Sequence, residues 1–321
     1  MTDRIQIAIL GAGAMGCLYA AYLARNPAVQ LTLICHSAEE AALLRRRGIL
    51  ITENGKQTAI PVQTAVSGVP HPPADFLFLF VKAHTTAAAL DDNPGLISPQ
   101  TIVVSLQNGL LYPELAQRFA PEQLVVGISC HNSTRLEPGS IFHAAEGETR
   151  FGSPAGFAAS TEKTCSLFHG TGLSVTADSD VRRTIWRKLF VNMAINPLTA
   201  LFQERNGFIV RNPVCRKWTE RLADEALKTA AAEGIQFDRA EILAHIFSVA
   251  GATAAGRSSM FQDRLGGRRT EIDYICGAVA RLAALHGLEA PCNARLTALV
   301  HDVENGESPV PGWEKFAGKN P

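Results

Sequence analysis

Lys188, Asn192 and Asn196 interrupt a largely apolar stretch, WRKLFVNMAINPL at residues 186–198, at spacings of four. That spacing places them along one slowly drifting ridge of a helix. Leu189, Phe190, Val191, Met193, Ala194 and Ile195 surround the rest of it, and a helix apolar nearly all round is buried. Burying an unpartnered amide costs roughly 2–7 kcal/mol, so this ridge needs a partner, and a polar ligand in a cleft is one. Lys188 alone is explained equally well by a stem that snorkels to solvent; the three together are less so. Pro197 removes one backbone hydrogen bond and bends the helix there.

A second chemical signal stands at the N-terminus, where Gly11, Gly13 and Gly16 form GxGxxG, with Ala14 and Met15 between the last two. The first glycine permits a tight turn and the second lets the backbone approach a pyrophosphate. The third lets the following helix pack closely, and that helix's N-terminus offers N–H groups to the phosphates. The pattern alone is weak, but here it lies between a strand and a helix, where the chemistry needs it. An NAD site usually carries Asp or Glu at the end of the second strand; this chain has Cys35, His36 and Ser37 there. Without that carboxylate nothing repels a 2′-phosphate, which favours NADP. Arg45, Arg46 and Arg47 lie too far along the next helix to hold it. Residues 258–271 form a third polar cluster, but a capping hydroxyl at Ser259 and a first-turn acid at Glu271 explain themselves locally. His84, His131 and His143 show no metal-ligand spacing with carboxylates. Cys130 and His131 are read as structural, with His131 near the cleft rim.

The elements that must position these groups follow from hydropathy. Residues 5–10, 31–35, 76–81, 101–106 and 124–129 read as buried strands, and 14–26, 38–47, 85–91 and 112–119 as helices between them. That alternation implies right-handed parallel crossovers. Around Glu137-Pro138-Gly139 two short β-like segments predict antiparallel strands extending the sheet. Beyond Asp178 only helices are expected, at 182–202, 213–233, 238–255, 270–286 and 291–303, with Gly234 and Gly287 as C-caps. The expected architecture is an α/β Rossmann-type doubly wound sheet with an antiparallel extension, followed by an all-α C-terminal domain. The boundary falls at 178/179, with 1–178 for the dinucleotide, 179–321 for substrate and catalysis, and a frayed tail at 305–321.

Composition agrees with such a chain. Its 321 residues are 46% hydrophobic and 19% charged, which excludes disorder. Thirty basic residues balance thirty acidic ones, which leaves no basic excess for nucleic acid or a membrane surface. Seven cysteines without a CxxC pair argue against a disulfide framework or a structural zinc site. No apolar run approaches a membrane span and no signal peptide is visible, so a cytoplasmic protein is expected. The oligomeric state stays open, a homodimer included.

Over residues 5–302 the chain resembles the ketopantoate reductase family of NADPH-dependent enzymes. The resemblance rests on GAGAMG at 11–16, FVKAHTT at 80–86 with SLQNG at 105–109, WRKLFVNMAINPLTAL at 186–201 and SSMFQDRLGGRRTEIDYICG at 258–277. It implies Lys188 and Glu271 as catalytic residues, and Asn192, Asn196, Ser259 and Asn108 as substrate contacts. It also implies Lys82, Asn108, Glu271, His36 and the loop Gly11, Gly13, Ala14, Met15 and Gly16 on the cofactor side, with Asp263 in the matching SMxQD stretch. The chain departs from the family in having His36 where arginine often stands, and Leu111 where glycine commonly follows the NG. The chemistry implied is reduction of a 2-oxo acid at its C2 carbonyl. Lys188 would be the general acid, its pKa lowered by burial, in a cleft whose walls come from the two domains. A reductase of another 2-oxo acid and a non-enzymatic dinucleotide sensor are the alternatives.

Overall fold

The computed structural model describes residues 4–307. They form two compact units: 4–107 with 111–181, and 108–110 with 182–307.

The first unit begins with β1 (Ile5–Leu10), α1 (Ala14–Leu23), β2 (Val29–Cys35), α2 (Ala38–Arg47), β3 (Ile49–Glu53), β4 (Lys56–Ile60) and β5 (Gln63–Val66). It continues through β6 (Phe76–Leu79), α3 (Thr86–Asp91), β7 (Ile102–Ser105), α4 (Tyr112–Arg118) and β8 (Leu124–Ser129). It closes with β9 (Asn132–Glu137), β10 (Ser140–Ala145), β11 (Thr149–Gly152), α5 (Ala158–Ser166) and β12 (Val175–Ala177). Eight strands make one sheet in the order β12-β11-β8-β7-β6-β1-β2-β5. Its centre is parallel, as the unbroken apolar strands Phe76–Leu79 and Leu124–Ser129 require of a sheet covered on both faces. From β1 the chain winds first to β2 and later to β6 on the other side, so the strand order reverses at the end of β1. That end is where a doubly wound sheet takes its ligand.

The antiparallel extension exists, but β11 supplies it by pairing with β8. The β9–β10 hairpin does not join the main sheet. It forms a second, four-stranded sheet in the order β4-β3-β10-β9. The reason lies in α1, where all of Gly16–Leu23 is buried. A helix without a polar face needs a second cover besides the main sheet. The side chain of Tyr19, in the middle of that helix, bonds Thr149 Oγ1 at 2.6 Å.

The second unit contains α6 (Val181–Phe202, its first residue belonging to the first unit), α7 (Phe208–Arg211), α8 (Pro213–Ala232), α9 (Arg239–Ala252), α10 (Ser259–Leu265), α11 (Cys276–Leu285) and α12 (Pro291–Glu304). Gly234 and Gly287 take positive φ just past α8 and α11, the conformation a helix C-terminus asks of glycine. Three expectations need correction. The helix expected at 270–286 is a 3₁₀ turn, Ile272–Tyr274, broken at Ile275 and resumed as α11. The break has a cause: the Tyr274 carbonyl accepts Leu110 N–H at 2.8 Å and is withdrawn from the helical ladder. The helix expected at 238–255 ends at Ala252, and α10 follows where no helix was predicted. Finally, α6 is less enclosed than its composition implies, since Arg187 is exposed and Lys188 and Asn192 are half-buried. Of the expected tail, residues 308–321 lie outside the described residues.

Candidate active site

The glycine loop has the shape that its sequence demands. Gly11 holds φ +115°, and a Cβ there would meet the Phe80 carbonyl carbon at 2.8 Å. A Cβ on Gly16 would fall 1.8 Å from the Gly11 carbonyl oxygen, so only glycine lets α1 lie this close to β1. At Gly13, the N-cap of α1, a Cβ would meet nothing within 4 Å. The protein leaves that side of the loop open, and no acidic side chain occupies the first turn of α1. An open backbone cradle at an uncapped helix N-terminus suits a pyrophosphate. Ala14 and Met15 are half-buried at the start of the helix.

His36 is exposed after β2, and Ser37 caps α2 by accepting Glu40 N–H at 3.2 Å. Arg45 and Arg47 are engaged elsewhere, with the Thr64 carbonyl and with Glu137. A guanidinium that the linear pattern did not single out reaches the first turn of α2 from β9: Arg135 bonds Glu40 at 2.9 Å. Lys82 is half-buried and starts the turn before α3, its carbonyl accepting Thr85 Oγ1 at 2.9 Å. Gln107 was also passed over. Its amide donates to the Val81 carbonyl and to Thr86 Oγ1, both at 2.7 Å, and so ties the end of β7 to the Lys82 turn. The SLQNG pattern contained that signal.

In the second unit Asn108 donates through Nδ2 to Glu271 Oε2 at 3.2 Å. Glu271 is 7% exposed. Gly109 makes this meeting possible: it holds φ +83°, and a Cβ would fall 2.1 Å from the Tyr274 carbonyl oxygen. Lys188, Asn192 and Asn196 lie along α6, with Asn196 buried. Pro197 leaves the Met193 carbonyl without its helical N–H, and Cys276 Sγ approaches that oxygen at 3.8 Å. Burial pushes the Cys276 thiol far above its ordinary pKa, so it stays an S–H donor. Ser259 is exposed at the first position of α10. Asp263 is buried in an ion pair with Arg268 at 3.0 Å.

Close to Glu271, Asp273 bonds His301 at 2.8 Å and Arg269 at 3.2 Å. Burial acts to raise the Asp273 pKa, but the hydrogen bonds and charges of His301 and Arg269 outweigh it and hold the carboxyl below its ordinary value. For His301, burial acts downward and is outweighed by Asp273 and Glu304, so its pKa is raised. A pocket of about 420 Å³ opens beside His301, Glu304, Arg264 and Thr270. None of Lys188, Asn192, Asn196, Ser259 or Glu271 lines it, so its size is no guide to the chemistry. Among the described residues no group of three or more His, Cys, Asp or Glu side chains is placed to hold a metal ion. No described helix is long and apolar enough to cross a membrane.

Comparison with known proteins follows the same division of the chain. Residues 7–156 match the family model described as ketopantoate reductase PanE/ApbA, and residues 180–304 match its C-terminal counterpart. The 2-dehydropantoate 2-reductase of Halobacterium salinarum is 32% identical over 301 residues, which cover 92% of this chain and 98% of that one. That of Archaeoglobus fulgidus is 30% identical, covering 94% and 99%. Among solved structures, a ternary structure of D-mandelate dehydrogenase with NADH and anilino(oxo)acetate superimposes with a TM-score of 0.88 at 28% identity, covering 94% of this chain and 99% of that one. The PanE/ApbA family ketopantoate reductase of Ralstonia eutropha gives 0.84 at 26%, with the same coverage.

Proposed function

The chain belongs to the ketopantoate reductase PanE/ApbA family, a family of oxidoreductases, and from that membership we propose that it reduces 2-dehydropantoate to pantoate, with NADPH as reductant. The product would serve pantothenate and coenzyme A synthesis. The observation that carries the reading is the Asn108–Glu271 hydrogen bond. It joins two polar stretches, one after β7 and one before α11, that have no local reason to meet.

The glycine loop with Ala14 and Met15 holds the dinucleotide phosphates, and Lys82 and Asn108 serve its nicotinamide end. His36 stands at the 2′-phosphate position, where it presents no carboxylate to repel that group. Bound there, the reduced nicotinamide supplies a hydride to the C2 carbonyl. Lys188 Nζ gives the proton that the carbonyl oxygen takes up, and its positive charge stabilises the negative charge growing there. Asn192, Asn196 and Ser259 offer neutral hydrogen bonds to the carboxylate and hydroxyl groups of the substrate. Glu271, steadied by Asn108, accepts from the substrate hydroxyl.

The test is the absorbance decay of NADPH, and in parallel of NADH, with purified protein and 2-dehydropantoate. Lys188→Ala should lower kcat by about 10²–10⁴ while NADPH still binds; an unchanged kcat removes Lys188 as the acid. A second reading is favoured by the likeness to D-mandelate dehydrogenase, namely reduction of a different branched or aryl 2-oxo acid with NADH. Faster turnover of such an acid in a substrate panel, with NADH preferred, would replace the first reading by the second.

A further inference from the structure

Two hydroxyls outside the proposed set are bonded to each other in the interior of the helical unit. Thr199 Oγ1 and Ser258 Oγ stand 2.7 Å apart, Thr199 being 0% and Ser258 6% exposed. The proton positions follow from the inventory of donors. Ser258 Oγ caps α10 by accepting Phe261 N–H at 3.1 Å. Thr199 Oγ1 faces two carbonyl oxygens of its own helix, Ile195 at 2.7 Å and Asn196 at 3.1 Å. Carbonyls only accept, so the single Thr199 proton goes to them, and Ser258 must donate to Thr199. A one-way chain results: Phe261 N–H to Ser258, Ser258 O–H to Thr199, Thr199 O–H to α6.

A threonine bonded to the preceding turn is satisfied locally, and a serine N-cap satisfies its oxygen but not its proton. Joining them links positions 59 residues apart and pins the start of α10 to one turn of α6. That turn needs pinning, because Pro197 interrupts its ladder. The residues beside the pin are telling. Ser259 directly follows Ser258, and Asn196 lies one turn before Thr199 and lends it a carbonyl.

We propose that the Thr199–Ser258 pair is a positioning clasp, which sets the Ser259 hydroxyl and the Asn196 amide at a separation that suits one 2-oxo acid. Both hydroxyls are buried, and neither is among the groups proposed to touch substrate. The inference rests on the assignment of Ser259 and Asn196 to the substrate, and the experiment separates the two claims. Steady-state kinetics with NADPH and 2-dehydropantoate are measured on the full chain carrying Thr199→Val, Thr199→Ser, Ser259→Ala, and Thr199→Val with Ser259→Ala.

Thr199→Val keeps the shape and removes the acceptor of the Ser258 proton. It should raise KM for the oxo acid about tenfold, the scale of one neutral hydrogen bond, with kcat and KM for NADPH within about twofold. Thr199→Ser should restore KM. In the double variant KM should be no higher than in the worse single variant, because the clasp acts through Ser259. An unchanged KM in Thr199→Val overturns the clasp, as does an equal fall in all parameters or an additive double variant. If Ser259→Ala itself leaves KM unchanged, the substrate assignment fails and the clasp fails with it. If Ser259→Ala raises KM while Thr199→Val does not, only the clasp fails. Should Thr199→Val not fold, Ser258→Ala carries the same comparison, since it preserves the Thr199 bond to Ile195.

Discussion

Glu271 receives the Asn108 amide at 3.2 Å with 7% of its surface exposed, so its carboxylate enters any reaction already oriented. A charged hydrogen bond contributes more than a neutral one, about 1.5–3 kcal/mol against about 1. Glu271→Ala should therefore raise KM for the oxo acid by roughly 10- to 100-fold, and Asn108→Ala by less. Steady-state kinetics check both, and an unaltered KM and kcat in Glu271→Ala would remove its assignment. His36 poses the other question at this scale. A guanidinium matches a phosphate with two parallel hydrogen bonds and an imidazole does not. His36→Arg should shift the ratio of NADPH to NADH affinity by about tenfold towards NADPH. Fluorescence titration with each dinucleotide measures it, and an unchanged ratio would place the 2′-phosphate elsewhere.

Among the elements, the segment between β7 and α4 is demanding of its residue types. Gly109 combines φ +83° with a carbonyl 2.1 Å from where its Cβ would stand, so alanine there meets strain and a clash together. Gly109→Ala should destabilise the protein by about 1–3 kcal/mol and lower turnover, because Asn108 and Leu110 lose their places beside Glu271 and Tyr274. Thermal unfolding and the NADPH assay report the two effects; wild-type values in both would contradict the geometry. The same contact explains the broken helix. Tyr274 gives its carbonyl to Leu110, and the chain between Glu271 and Cys276 becomes a short turn that presents Glu271 at its start.

For the molecule as a whole, one group of titrating side chains that bears on stability gathers around α12. His301 bonds Asp273 on one side and Glu304 on the other, and Arg269 also faces Asp273. The folded His301 has a pKa above 6.5, so its contribution is complete below that value and is lost as pH rises through the folded pKa. The folded Asp273 has a pKa below 3.8, so its contribution is complete above that value and is lost as pH falls through the folded pKa. Between those limits the cluster stabilises most. His301→Asn should lower Tm most between pH 3.8 and 6.5, and the difference should shrink at higher pH. A difference that stays constant from pH 5 to pH 9 would contradict the linkage.

By itself the amino-acid sequence determined whatever depends on neighbours along the chain. The glycine loop between a strand and a helix, the strands around Phe78 and Val125, the helix 38–47 and the ridge of Lys188, Asn192 and Asn196 all express periodicity or backbone freedom, which act locally. The same residues, read as similar to a family, also pointed to the reductase family. The tertiary structure decided what depends on residues far apart. The second sheet exists because α1 is apolar on every side, and β3 and β10, 90 residues distant, meet to help cover it. The helix from 270 breaks because Leu110 takes a carbonyl that no local pattern marks as claimed. Asn108 meets Glu271, and Thr199 meets Ser258, for the same reason. A buried polar atom is costly to leave without a partner, but its chemistry does not say which distant group will serve, and only the packed chain makes that choice.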